Sequence, residues 1–396
     1  MLDRAEAMTG EMVRLRRDIH QHPELAFQEF RTAGLVADML AEIGIEAQSG
    51  VGRTGVIGRI GSGDGPTIGI RADMDALPIL EKNDVPYRSS NDGVMHACGH
   101  DAHTAILLGV AQLLRQSFIE DDWRGNVRLL FQPAEEGPDE NGISGATAMI
   151  DDAAIEDVDA VIALHVISDL PAGECFFHDG FSLASVDSFK GWIRGQGGHG
   201  AYPHQTRDPL FMLGPILSAL YGIPSRRINP LRESVVSLGQ IHAGTTSNVI
   251  PAEVFLEGTI RAYDPAVREA LRSEVERALQ ISETMGGSYE FELTCGYPAL
   301  NNDPLANGWL RESATDILGE SRVQDQEFGM GAEDFAYMTQ KAPGAMFMLG
   351  AALPDDVERR HHSDNFDVDE SVLPVGAAVL AETARRFVTG RYSLEE

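Results

Sequence analysis

Gly65-Pro66-Thr67-Ile68-Gly69-Ile70-Arg71 is a turn-prone pair followed by a short apolar run, and it reads as entry into a buried strand. Asp101 to Gln116 follows with helical spacing, its apolar side formed by Ile106, Leu107, Val110, Leu113 and Leu114. Further short apolar runs stand at Val127 to Phe131, Ala160 to Leu164 and Ala345 to Leu349. Strands that alternate with helices in this way predict an α/β fold with a largely parallel central sheet. Upstream, residues 5–19 and 32–42 carry helical periodicity, the second stretch ending at Gly44; a closing helix is expected around 372–388.

The middle of the chain keeps a different rhythm. Val186–Arg194 alternates like a strand, with Phe189 and Trp192 as its large residues, and a helix is expected from about Asp208 to Tyr221. Two strands follow, Val235–Ala243 and Ala252–Tyr263, joined through the turn-prone Thr246-Ser247-Asn248. Asp264-Pro265 opens a second helix, because Asp suits the N-cap and Pro the first helical position. Ser288–Cys295 is the last strand. The order strand, helix, strand, strand, helix, strand is the βαββαβ (ferredoxin-like) pattern. It predicts an inserted domain over 185–297 within a larger domain made of 1–184 and 298–396.

A chain of 396 residues suits two domains. Its 31 basic and 61 acidic side chains give a formal net charge of -30, which argues against nucleic acid and anionic membranes as partners. No basic region followed by an apolar run stands at the start, and no stretch of about eighteen apolar residues occurs, so neither a secretory signal nor a membrane span is expected. Three widely spaced cysteines, Cys98, Cys175 and Cys295, do not make a disulfide framework, and a reducing cytoplasm fits them.

The chemistry collects in a few segments. Met95-His96-Ala97-Cys98-Gly99-His100-Asp101-Ala102-His103 places thiol and imidazole just before a helix, and those groups are preferred by zinc and similar divalent ions. The rival reading is a surface histidine cluster with an inert buried thiol. Gln132-Pro133-Ala134-Glu135-Glu136-Gly137 follows a strand; one carboxylate could bind metal while its neighbour takes a proton from water, although a lone Glu-Glu pair is more often a solvated turn. His165 and the pair His361-His362 are weak signals when taken singly. Together with Asp73 and Asp75 they all follow the carboxyl ends of expected parallel strands, the edge where open α/β sheets bind ligands. These donors are enough for two ions, with Cys98 or a carboxylate able to bridge.

These segments occur in order with three others. They are Gly-Gly-His-Gly-Ala-Tyr-Pro-His at 197–204, Gly-Ala-Glu-Asp-Phe-Ala-Tyr at 331–337 and His-His-Ser at 361–363. With Arg-Arg-Asp-Ile-His-Gln-His-Pro-Glu-Leu at 16–25, the chain resembles the M20 metallopeptidase family over nearly its whole length. It is most similar there to the aminoacylase-like amidohydrolase branch of hippurate hydrolases and auxin-conjugate hydrolases.

The resemblance implies that Cys98, His100, Glu136, His165 and His362 hold a divalent metal, two ions per subunit of manganese, zinc, nickel or cobalt. Glu135 would be the general base. His361 would stand behind the ligands, Asp75 would orient one of them, and Glu333 would support the site. The inserted domain would be a lid that also joins a homodimer. From it His199, reaching the site of the partner subunit, would stabilise the oxyanion, and Asn248 and Arg261 would bind substrate. The implied reaction is hydrolysis of an N-acyl amino acid. A carboxypeptidase or dipeptidase is the rival among enzymes, and a non-catalytic binding protein is the rival from another class. Cys175 and Cys295 are expected in the core, while His96, His103 and His204 are left near the site or on the surface. One departure from the branch is the longer segment after Glu136, Gly-Pro-Asp-Glu-Asn-Gly-Ile-Ser at 137–144.

Overall fold

The computed structural model describes residues 1–61 and 63–394. The chain divides into two compact units. The larger comprises Met1–Gly180, Asn301–Phe328 and the chain from Asp334 onward, and the smaller comprises Phe181–Leu300 with Gly329–Glu333.

An eight-stranded sheet runs through the larger unit. Its order is Glu46–Val51, Gly55–Gly61, Asn126–Gln132, Thr67–Asp73, Ala160–Ile167, Gly344–Gly350, Cys175–Phe177 and Val323–Asp325. The four central strands, Asn126–Gln132 through Gly344–Gly350, pair in parallel, and antiparallel strands flank them. Thr67–Asp73 and Gly344–Gly350 are buried at every position, as strands covered on both faces must be. From Thr67–Asp73 the chain crosses through the helix His100–Glu120 to Asn126–Gln132 on one side. It then returns past Gly145–Asp151 to Ala160–Ile167 on the other side. This reversal puts the carboxyl ends of neighbouring strands around one crevice. Ile70, Phe131, Ile162, Leu164 and Phe347 share one core with Leu107, Val110 and Leu114 of His100–Glu120, and with Val379 and Phe387 of the closing helix Leu373–Val388.

Two local expectations need correction. The periodicity over 5–19 is carried by two helices, Leu2–Glu6 and Thr9–Gln21, because the Thr9 hydroxyl donates to the Glu6 carbonyl (2.8 Å) and the turn tightens there. The strand expected to end at Leu164 continues to Ile167, which brings His165 inside it.

The smaller unit runs Ser185–Arg194, helix Pro209–Arg226, Ser234–Ala243, Glu253–Ala262, helix Pro265–Leu279, Ser288–Cys295. Its four strands form an antiparallel sheet with Ser234–Ala243 and Ser288–Cys295 at the edges. Both helices start on an Asp cap followed by Pro: Asp208 accepts from the Leu210 amide and Asp264 from the Ala266 amide. Alternate residues of Ser185–Arg194 point into the core, including Phe189 and Ile193 against Met212, Ile216, Leu271 and Val275. The segment Gly329–Glu333 belongs here as well: Ala184 donates to the Gly331 carbonyl (2.7 Å) and Tyr263 Oη to that of Gly329 (2.9 Å). Cys295 is exposed rather than in the core, because it lies on an edge strand; Cys175 is buried.

One inward position is charged. Asp187 is buried and accepts from Arg268 Nε (3.0 Å), Arg272 Nε (2.8 Å) and the Gly296 amide (3.1 Å). Burial works to raise its carboxyl, and the two guanidiniums outweigh it, holding the pKa below the ordinary value. Its stabilisation is therefore complete above the unfolded carboxylate range and disappears as pH falls through the lowered folded value. Asp187→Asn should destabilise this unit by about 3 kcal/mol in urea unfolding at neutral pH, because it removes the buried negative charge that both arginines share. The difference from wild type should shrink once the pH drops below about 4.

Candidate metal centre

The sheet's carboxyl edge carries the candidate donors, each at the end of an element that the fold brings to one place. Asp73 ends its strand and Asp75 lies two residues on; Glu135 and Glu136 follow Asn126–Gln132; His165 is near the end of Ala160–Ile167. Cys98 and His100 flank Gly99, the N-cap of His100–Glu120, whose φ of 97° lies in the left-handed region. A side chain at Gly99 would also come within 2.3 Å of Val166 Cγ2, so glycine is required twice over. The loop with His361 and His362 is tied in by the His362 amide, which donates to the Ala97 carbonyl (2.8 Å); His362 itself has a φ of 63°.

Cys98 Sγ lies 3.5 Å from His165 Nε2 and 3.4 Å from His361 Nδ1. Glu136 Oε1 lies 3.1 Å from His362 Nε2 and 3.9 Å from His100 Nε2. Donor atoms of His100, Glu135 and Glu136 all fall within 4.8 Å of one another, as do those of Cys98, Glu136 and His362, and those of Cys98, His165 and His361. Ligands on one ion with bonds of about 2.0–2.3 Å stand roughly 3–4.6 Å apart, so each set has coordinating dimensions. Cys98 and Glu136 each belong to two sets, which is the arrangement a bridging ligand or a pair of ions requires.

The hydrogen bonds leave the expected ligand atoms open. His100 Nδ1 donates to the Asp75 carbonyl (2.9 Å), and its buried Nε2 has no hydrogen-bond partner. His165 Nδ1 donates to the Val166 carbonyl (2.7 Å), which directs Nε2 at Cys98. Glu136 Oε1 is buried without a hydrogen bond; His362 is within ion-pair distance but poorly aligned. Buried polar atoms without partners are rare, and a divalent cation is the group that would satisfy both His100 Nε2 and Glu136 Oε1 while drawing in His165 Nε2. The residues present therefore fit a metal.

His103 is different. Its Nδ1 bonds Asp73 Oδ1 (2.6 Å) and its Nε2 accepts from the Val166 amide (2.9 Å), so both nitrogens are used although its ring stacks beside His100. His361 Nε2 accepts from the Ser168 amide (3.4 Å), which leaves the proton on Nδ1 facing the Cys98 sulfur.

The electrostatics agree with this geometry. Burial, and then the Glu136, Glu135 and Asp73 carboxylates, push the Cys98 thiol well up, so its thiolate needs a cation alongside. Burial alone would lower His100, but Asp73, with Asp75 and Glu136, raises it to about 10: positive charge is favoured at that ring. Burial and the neighbouring His103 and His361 rings hold His165 well down, as a neutral imidazole ligand must be. Burial pushes His361 down to about 3, helped by the His362 ring.

The remaining expected residues lie in the smaller unit. His199 sits in the short strand Gly198–His199, which pairs with Val249–Ile250, and its exposed ring accepts from the Ala201 amide (3.0 Å) at Nδ1. Asn248 precedes that pairing, and its carbonyl accepts from the Gly200 amide (2.8 Å), so His199 and Asn248 are brought together. Arg261, on Glu253–Ala262, is half-buried and donates to the Met330 carbonyl (2.9 Å). Glu333 is buried.

Other buried residues had no role in the sequence reading. Asp101, directly after His100, accepts from Arg16 Nε (2.7 Å) and bonds His20 Nδ1 (2.8 Å); Arg16 also donates to Asp367 (2.7 Å). Burial works to raise the Asp101 carboxyl, and Arg16 and His20 hold it well below the usual range. The available signal was that Arg16 and His20 share the inward face of Thr9–Gln21 with Met12, Leu15 and Ile19. His96 and His103 are buried rather than on the surface, while His204 is exposed. The long segment after Glu136 closes on itself, with Asp139 Oδ1 accepting the Asn141 (2.8 Å) and Ile143 (3.0 Å) amides ahead of the Ser144 capping box.

Residues 69–386 match the model of the peptidase family M20/M25/M40. Thermostable carboxypeptidase 1 of Saccharolobus solfataricus is 40% identical over 385 residues, 95% of either chain. The N-acetyl-L-cysteine deacetylase of Bacillus subtilis is 38% identical over 383 residues, 96% of this chain and 88% of that one. The crystal structure of the Bacillus subtilis YXEP protein, described as a dinuclear metal binding peptidase from the M20 family, superposes with a TM-score of 0.83 at 35% identity. The likeness covers 96% of this chain and 98% of that one. A metal-fitting site at the carboxyl edge of the sheet thus coincides with a match over most of the length, and the chain belongs to the peptidase family M20/M25/M40 as a metal-dependent hydrolase of amide bonds.

Proposed function

We propose that the protein hydrolyses the amide of an N-acylated amino acid, releasing a carboxylic acid and the free amino acid. The observation that carries this reading is the placement of Glu135 among the donors, with its carboxylate within 4.8 Å of His100 and Glu136 donor atoms. Similarity to an N-acetyl-L-cysteine deacetylase supports the substrate class.

Cys98, His100, Glu136, His165 and His362 would hold a pair of divalent ions, manganese, zinc, nickel or cobalt, with His361 donating to the Cys98 thiolate. Such ions supply Lewis acidity that lowers the pKa of water and polarises an acyl carbonyl. Glu135 takes a proton from the attacking water as the new C–O bond forms. It passes that proton to the amide nitrogen as the C–N bond breaks, so the amine leaves neutral. Asp75 keeps His100 and the Glu135–Glu136 backbone aligned, and Glu333 supports the site. His199, supplied by the partner subunit, donates to the oxyanion, and Asn248 with the forked guanidinium of Arg261 takes the substrate carboxylate.

In this reading 1–184 and 298–396 form the catalytic domain, and 185–297 a ferredoxin-like lid that also makes a homodimer. Support for the dimer comes from the outward row of the helix Pro209–Arg226, where Phe211 is 71% and Tyr221 58% exposed, and from the open edge strand Ser234–Ala243. Free Cys98, Cys175 and Cys295 suit a reducing cytoplasm, and no described helix is long and apolar enough to cross a membrane. A second reading, a carboxypeptidase acting on peptides, is favoured by the 40% identity to thermostable carboxypeptidase 1.

Chelated protein reloaded with each metal should cleave N-acyl amino acids faster than dipeptides, and Glu135→Ala should lower kcat by about 10²–10⁴-fold while retaining its ions. Faster turnover of dipeptides would instead favour the carboxypeptidase, and an undiminished Glu135→Ala would remove Glu135 from the mechanism. Phe211→Asp with Tyr221→Asp should convert a dimer to monomers in sedimentation; an unchanged sedimentation coefficient would refute the helix as the interface.

A further inference from the structure

Three successive backbone amides, those of Ala134, Glu135 and Glu136, each donate to a buried carboxylate. Asp75 takes two of them, Glu135 at Oδ1 and Glu136 at Oδ2, both at 3.0 Å. The first, from Ala134, goes to Glu29 Oε1 at 2.9 Å. Glu29 is fully buried and lies more than a hundred residues upstream, at the start of the helix Phe30–Glu42. Its Oε1 also accepts from the Phe27 amide (3.0 Å), and its Oε2 accepts from the Thr54 hydroxyl (2.5 Å).

Ala134 needs this support. Its φ is 47°, in the left-handed region, which costs a non-glycine residue about 1 kcal/mol or more. It is wholly buried, so without Glu29 its amide would have no water to turn to. On its other side the Ala134 carbonyl accepts from the Gly145 amide (2.9 Å), so the residue is pinned at both ends. The very next residues are Glu135 and Glu136.

We propose that Glu29 is a positioning residue for the site: by holding the Ala134 amide it fixes the strained backbone from which Glu135 and Glu136 reach the donors. The proposal rests on the reading of Glu135 as the base and Glu136 as a ligand. It assigns Glu29 no contact with substrate. The role requires acceptors rather than charge. A glutamine can present its carbonyl to the two amides and its amino group to the Thr54 hydroxyl, which can turn to accept. Burial, reinforced by the nearby Asp75 charge, pushes the Glu29 carboxyl up to about 7 despite the Thr54 hydrogen bond, so a neutral side chain suits this place.

The test compares Glu29→Ala, Glu29→Met and Glu29→Gln in the full-length protein, with cobalt(II) as the metal probe. Glu29→Ala and Glu29→Met should lower kcat about 30–100-fold with KM little changed, because a displacement near 1 Å costs about that much. They should also raise the cobalt dissociation constant about tenfold. Hydrogen exchange should accelerate at amides 134–136 in both, and Glu29→Gln should restore all three quantities to within about threefold of wild type. Several results would overturn the proposal. They are unchanged kcat and cobalt affinity in the folded Glu29→Ala or Glu29→Met protein, a Glu29→Gln protein as impaired as Glu29→Ala, or unfolding of both truncations, which would make the residue structural. If wild type cleaves no amide, the proposed function fails, while cobalt affinity and amide exchange still judge Glu29.

Discussion

A single buried carboxylate joins the separate pieces of the metal centre. Asp75 holds the Glu135 and Glu136 amides, while its own carbonyl accepts from His100 Nδ1 and its Oδ1 lies 3.3 Å from the same nitrogen. One residue just past the end of the strand Thr67–Asp73 thereby fixes a histidine on a helix and two carboxylates on a loop. Each of these side chains would otherwise depend on its own loop for placement. The parallel sheet makes the arrangement possible, since it delivers the carboxyl ends of four adjacent strands to one edge.

The same edge concentrates groups that do not tolerate burial alone. Cys98, His100, Asp73, Asp75 and Glu135 are all buried there. Arg71 neutralises part of this charge, since it bonds Asp73 (2.6 Å) and Asp334 (3.1 Å). At this edge His100 Nε2 and Glu136 Oε1 are among the buried atoms without hydrogen bonds. An uncompensated buried charge is costly, so a cation among these donors would stabilise the edge. Metal binding at this edge would then add to its stability.

Much of this was legible in the chain. The runs around Ile70, Leu129 and Ile162 announced buried strands, and the placement of Glu135, His165 and Cys98 after or beside them announced the edge. Asp264-Pro265 marked a helix start that the structure contains. What stayed hidden were the interactions between distant segments. Glu29 looks like one more charge before a helix, and Arg16 and His20 like ordinary members of one; only their burial against Ala134 and Asp101 gives them meaning. Cys295 was misplaced for a related reason, since alternation in Ser288–Cys295 cannot reveal that the strand is an edge. The grouping of Gly329–Glu333 with the smaller unit likewise depends on contacts to Ala184, Arg261 and Tyr263 that no local pattern encodes.

The carboxyl edge of the sheet, with Cys98 beside histidine and carboxylate donors, is where a metal would bind. Anomalous diffraction from crystals of the cobalt-loaded protein tests it most directly. Two peaks are expected at that edge, one beside Cys98 and His165 and the other beside His100 and Glu136, with cobalt–sulfur bonds of about 2.3 Å. Peaks confined to surface carboxylates, with Cys98 and His100 unligated, would contradict it.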